Sequence, residues 1–137
     1  METIQFSDEL RIGIEDLDSH HQHLFRLFNS FCYSFAEVGR RERIGLLLDE
    51  MIDYATYHFS LEEGWMEANS FPDLCEHRLQ HGKFTARVVE IQRDFTDGKN
   101  NLSLEIMSFL KNWLISHITG LDRDIGLFEK RGRIRGA

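Results

Sequence analysis

Histidine is the residue type that can do chemistry in this chain, and its spacing is regular. His58 and Glu62 are four residues apart, as are His77 and His81, so on a helix each pair stacks on one face. Both faces are apolar: Met51, Ala55 and Trp65 share the first, and Leu74, Phe84 and Val88 share the second. His117 follows Trp113 by one turn, in phase with Ile106 and Leu110, and His21 is in phase with Leu24, Phe25 and Phe28. His20 and His23 project away from the His21 face and read as surface residues. A lone core histidine is ordinarily satisfied by one hydrogen bond. Five of them with a glutamate are different, because each uncompensated buried polar group costs about 1–3 kcal/mol. Together they would consume most of a stability of about 10 kcal/mol unless a metal compensated them.

Asp122 is a further candidate ligand. It lies five residues after His117, about 140° round an ideal helix, and Gly120 between them lets the backbone loosen and turn the carboxylate back. Five imidazoles and two carboxylates exceed the four ligands of a closed zinc site. Calcium or magnesium would want oxygen throughout. A mixed nitrogen and oxygen set suits two iron ions with carboxylates between them.

Four helical segments are expected to position these residues. The first runs from about Asp18 to Val38, with Gly39 as its stop, and the second from about Arg41 to Ala68, closed by turn residues from Asn69 to Pro72. The third runs from about Pro72 to Phe95 and ends in Asp97-Gly98-Lys99-Asn100. The fourth runs from about Leu102 to Thr119, is interrupted at Gly120, and is followed by a short apolar piece around Ile125 to Phe128. Short connections make this an all-α, antiparallel up-down-up-down four-helix bundle. In such a bundle the starts of odd helices and the ends of even ones share one end. His21, His77 and His81 lie near starts, and His58, Glu62 and His117 near ends, so angular phase and axial depth both place them in one layer. The 137 residues are the length of a single domain. Within it, residues 1–17, with Phe6, Leu10, Ile12 and Ile14, form an N-terminal arm, 18–122 the bundle and 123–137 a short C-terminal helical extension.

Composition narrows the class. The single proline, Pro72, favours long helices. A formal charge of −7 opposes nucleic-acid binding, and the basic stretch Lys130–Arg135 reads as a solvated, frayed tail. Cys32 and Cys75 read as buried reduced thiols. No basic region followed by an apolar run opens the sequence, so no signal peptide is expected, and no apolar run is long enough to span a membrane, so a cytoplasmic location is expected.

The chain resembles the hemerythrin family, in its single-domain bacterial form. The motifs that carry the resemblance are Asp18-Ser19-His20-His21, His58-Phe59-x-x-Glu62-Glu63, His77-x-x-x-His81 and Trp113-Leu114-x-x-His117-Ile118-x-x-x-Asp122. Together they are specific and cover nearly the whole chain. Two departures stand out: the family commonly has glutamine where this chain has His20, and Phe6 replaces a frequent arm tryptophan. The resemblance implies a non-haem di-iron centre. His77, His81 and His117 would cap one iron, and His21 and His58 would hold the other, which keeps a position open for oxygen. Glu62 and Asp122 would bridge the pair, with an oxide or hydroxide as third bridge. Phe59, Trp113, Leu114 and Ile118 match positions lining the family's oxygen pocket, and each also fits plain core packing.

The function implied is reversible binding of dioxygen for storage, transport or delivery, not enzymatic turnover, with an electron donor or oxygen-consuming enzyme as possible partner. An oxygen or redox sensor is the alternative, and would need an output surface. A di-iron oxidase or nitric-oxide-handling enzyme comes third, because ferritin-like oxidases use more carboxylates.

Overall fold

The computed structural model describes residues 5–34, 40–99 and 104–135. After a short 3-10 turn, Asp8–Leu10, come α1 (Glu15–Ser34), α2 (Arg40–Ala68), α3 (Leu74–Thr96) and α4 (Leu104–His117). A π-helical turn, Ile118–Asp122, joins α4 to α5 (Arg123–Arg135) without a break. The four long helices form the expected bundle. Its antiparallel sense is fixed at both ends. Arg41, at the start of α2, donates to the Phe95 carbonyl at the end of α3, with its guanidinium 4.3 Å from the Phe95 ring centroid. At the other end the late α2 residue Glu62 meets His77 and His81, which are early in α3.

Local sequence explains most of the boundaries. The start of α1 lies three residues earlier than expected, since the Asp18 N–H already bonds the Ile14 carbonyl at 2.9 Å. Glu15, Asp16 and Asp18 in that first turn suit the positive end of the helix dipole. Val38 and Gly39, expected to end the first helix, and Leu102, expected to open the fourth, lie outside the described residues. Two Schellman motifs end α2 and α3. In the first, Ser70 takes φ 55, and Phe71 N–H reaches the Met66 carbonyl at 2.9 Å. In the second, Gly98 takes φ 76, and Lys99 N–H reaches the Asp94 carbonyl at 2.7 Å. Pro72 falls in the turn between them, so α3 begins at Leu74, two residues later than expected.

The core is one cluster, with Leu24, Phe25 and Phe28 from α1, Ile44, Leu48 and Met51 from α2, Val88 and Ile91 from α3, and Met107 and Leu110 from α4. Residues before α1 pack on it. Phe6 lies 5.7 Å from Phe25, and Ile12 is buried. Their clamp is Asp18, whose carboxylate accepts from the Ile12 N–H at 2.7 Å and the Gly13 N–H at 3.1 Å. Gly13 has φ 94, a conformation that favours glycine, and this turns the arm onto the carboxylate. The arm also rests on α5: a Cβ at Gly126 would come within 1.8 Å of the Ile12 carbonyl oxygen.

Three expectations are corrected. Gly120 does not interrupt the chain's helical course. The apolar piece after it is the start of a 13-residue helix that carries the basic stretch as far as Arg135, so this tail is helical. Cys75 is exposed and Cys32 half-buried. Cys75 precedes the inward-facing His77 by two positions, about 200° round the helix, which turns it outward. Among the described residues, no helix is long and apolar enough to cross a membrane.

Candidate metal centre

All seven expected ligands meet in one buried layer. His21 comes from α1, His58 and Glu62 from α2, His77 and His81 from α3, His117 from the end of α4 and Asp122 from the π-helical turn. None is more than 7% exposed. Asp122 reaches the layer by a route that spacing on an α-helix disfavours. In the π-helical turn the Arg123 N–H bonds the Ile118 carbonyl, five residues back. With hydrogen bonds from i to i+5, a residue lies over the one five before it, so Asp122 stacks on His117 instead of falling 140° away. Gly120 is not the cause: it has no positive φ, and a Cβ there would meet nothing within 4 Å.

The donor atoms form two overlapping groups, each with all its atoms within 4.8 Å of one another. Glu62, His77, His81, His117 and Asp122 make one, and His21, His58, Glu62 and Asp122 make the other. Both carboxylates belong to both groups. Glu62 Oε1 lies 2.8 Å from His77 Nε2 and 3.0 Å from His81 Nε2, while its Oε2 lies 3.1 Å from His58 Nε2. Asp122 divides its oxygens likewise. Oδ1 is 2.8 Å from His77 and 3.2 Å from His117, and Oδ2 is 3.1 Å from His21. Each carboxylate therefore spans the two groups, one with three histidines and one with two.

These contacts are short, yet many are not hydrogen bonds. Both oxygens of Glu62, Asp122 Oδ1, His58 Nε2 and both ring nitrogens of His21 are buried without a hydrogen-bond partner of acceptable geometry. Moreover, the Nε2 atoms of His77 and His81 each lie 3.0 Å from His117 Nε2. Three imidazole nitrogens facing one another cannot all be satisfied by protons. Atoms that crowd together while misaligned for one another are aimed at a common point, and a cation there would satisfy them all. The donor set fits a pair of metal ions.

Electrostatics agree. Burial lowers the basicity of His21, but its contacts with Asp122 and Glu62 outweigh this and raise its pKa to about 9. His77 follows the same balance, also to about 9. Burial raises Glu62, yet the surrounding imidazoles of His21, His58, His77 and His81 hold it well below the usual carboxylate range. Asp122 is likewise held low: burial and the Glu62 charge push it up, and His117 and His21 more than reverse them. Burial keeps His58 below its ordinary value. The protein therefore sets two carboxylate charges against protons on His21 and His77, positive charge that bound cations would replace.

Beyond these seven residues, two contacts went unread in the sequence. Glu63 Oε2 lies 2.8 Å from His81 Nδ1, and its Oε1 accepts from Arg78 Nε at 3.2 Å. On the opposite side His20 is half-buried, with Nδ1 3.0 Å from His58 Nδ1, which corrects its reading as a plain surface residue. His23 is half-buried too, 4.2 Å from the Tyr54 ring. In both cases α2 runs alongside α1 and covers residues that their own helix turns outward. Of the residues matched to an oxygen pocket, Phe59, Leu114 and Ile118 are buried. Phe59 stacks on His81 at 3.9 Å and Trp113 on His117 at 4.4 Å, so these two rings lie against the three-histidine side.

A bundle that holds seven buried donors in two groups joined by carboxylates is a dinuclear cation-binding protein in form. Comparison with known proteins gives the family. The hemerythrin HHE cation binding domain matches residues 12–126, and the chain belongs to the hemerythrin family. It is 32% identical to a bacteriohemerythrin of Stenotrophomonas maltophilia, over 90% of this chain and 79% of that one. It is 30% identical to a bacteriohemerythrin of Methylococcus capsulatus, over 80% and 82%, and 28% identical to a myohemerythrin of Riftia pachyptila, over 85% and 86%. A crystal structure of wild-type hemerythrin superimposes with a TM-score of 0.86 at 27% identity, covering 91% of this chain and 96% of that one.

Proposed function

We propose that the chain binds dioxygen reversibly at a pair of iron ions held by His21, His58, Glu62, His77, His81, His117 and Asp122. The observation that carries this is the sharing of Glu62 and Asp122 between two donor groups of unequal size. On that count one ion would be held by the imidazoles of His77, His81 and His117 and the other by those of His21 and His58, with Glu62 and Asp122 available to both. The smaller group leaves room for an exogenous ligand. When bound, a ferrous pair supplies the electrons that hold dioxygen.

The chain's own residues do the rest. Glu62 and Asp122 supply two negative charges at the centre, and five neutral imidazoles complete the set without adding charge. Buried Phe59, Leu114 and Ile118 keep the surroundings apolar, which limits water at the site. This donor set carries fewer anions than the carboxylate-rich sites of ferritin-like oxidases, and so favours binding over substrate oxidation. We assign the protein to oxygen storage, transport or delivery in the cytoplasm, with an electron donor or oxygen-consuming enzyme as its partner.

The test is the visible spectrum of the reduced, iron-loaded protein as air is admitted and then removed under argon. Absorbance that appears and disappears over repeated cycles, with about two iron per chain, is the expected result. A single irreversible oxidation, or one tightly held zinc with no iron, overturns the proposal.

A further inference from the structure

The two sides of the centre differ in what stands behind their imidazoles. His81 turns Nε2 toward Glu62, so a lone pair directed into the site requires its proton on Nδ1. That N–H donates to Glu63 Oε2 at 2.8 Å. Glu63 is in turn held by Arg78, which spans Glu63 at 3.2 Å and Glu67 at 3.3 Å. His58 also directs Nε2 at Glu62, but its Nδ1 faces the imidazole of His20 at 3.0 Å. One side is thus backed by a carboxylate and the other by an uncharged ring. A metal-bound imidazole that donates to a carboxylate becomes a stronger donor to its metal.

Building on the ligand set above, we propose that Glu63 is a positioning residue that fixes the His81 tautomer and makes the three-histidine position the more readily oxidised half of the pair, favouring the ferric ion there, with Arg78 moderating its charge. Added negative charge behind His81 stabilises Fe3+ over Fe2+. Arg78 withdraws part of that charge, and because its side chain is 48% exposed its influence is the weaker of the two.

Glu63→Gln and Arg78→Ala test this in the full chain. The glutamine keeps an acceptor oxygen but loses the charge, so two iron per chain are retained. Affinity of the metal-free protein for Co2+ falls by about tenfold, the lower end of what such outer contacts contribute. The reduction potential of the iron centre rises, by about 59 mV for each tenfold loss of preference for the ferric ion. Arg78→Ala moves the potential the other way and by less. Opposite signs are a signature that loss of packing does not produce. Equal potentials in all three proteins, or shifts of the same sign, overturn the inference. If Glu63→Gln does not accumulate, the exposed Arg78→Ala decides alone, and an unchanged or raised potential refutes the idea. A wild-type protein without two iron instead refutes the ligand set on which the inference rests.

Discussion

Loading the metal-free protein with a divalent cation expels protons, and the number depends on pH in a way the site fixes. His21 and His77 have pKa values of about 9 because Asp122 and Glu62 stand against them. Both must give up a proton before Nε2 can coordinate. At pH 7.5 each is about 97% protonated, so the two release about 1.9 protons; at pH 9 each is half protonated and they release about 1.0. Any hydroxide bridge drawn from water adds a constant at both pH values, which leaves the fall of about 0.9 proton as the quantity to read. Calorimetric titration of Co2+ into the metal-free protein, repeated in buffers of different ionisation enthalpy, measures it. Linkage gives the companion result. Both histidines are raised above their unfolded value of about 6.5, so their contribution to apo stability is full below pH 6.5 and lost as pH rises through 9. The Tm of the apo protein therefore drops across that window while the gain from metal widens. Proton release that does not change between pH 7.5 and 9 would refute the charge balance drawn here.

Further outcomes are expected. His58→Ala and His81→Ala each lose iron by elemental analysis, and with it the stabilisation of about 4 kcal/mol that a ligand at a thousand times its Kd confers, seen as a lower Tm. Asp18→Ala strands the buried Ile12 N–H and leaves the exposed Gly13 N–H to solvent, costing about 1–3 kcal/mol in denaturant unfolding, while the iron count stays at two. Leu114→Ala removes buried carbons at a cost of about 2–5 kcal/mol and admits water, so the oxygenated absorbance decays faster than in wild type with iron unchanged. Equal decay rates would reduce Leu114 to core packing.

Much of the centre was legible because helical geometry is periodic. The four-residue steps from His58 to Glu62 and from His77 to His81, in phase with apolar neighbours, fix the direction of each side chain. The antiparallel order of the segments then fixes depth. The same logic missed what neighbouring helices do. His20 and Glu63 each sit one residue from a ligand, about 100° round their helices. From the sequence they look like solvated residues. Only the packing of α2 beside α1 and of α3 beside α2 puts Nδ1 of His58 and His81 within their reach. Asp18 was likewise read as part of a motif with no task assigned, because its partners are backbone N–H groups of an arm without periodicity.

Asp122 marks the boundary between the two kinds of information. The residue types offered Asp122 as a candidate second carboxylate, and spacing on an α-helix pointed it elsewhere; the family resemblance supplied the assignment, and the π-helical turn supplies its means. An inserted residue in a helix leaves no trace in hydrophobic period, since Leu114, Ile118 and Ile125 are apolar on either reading. What selects it is tertiary: α4 and α5 must both bury their apolar faces while Asp122 joins Glu62 between the same imidazoles. The sequence by itself determined the helices, their inward faces and the chemistry of the donors. The packed structure decided how the chain bends to complete the pair of positions, because that depends on contacts between elements that no local pattern contains.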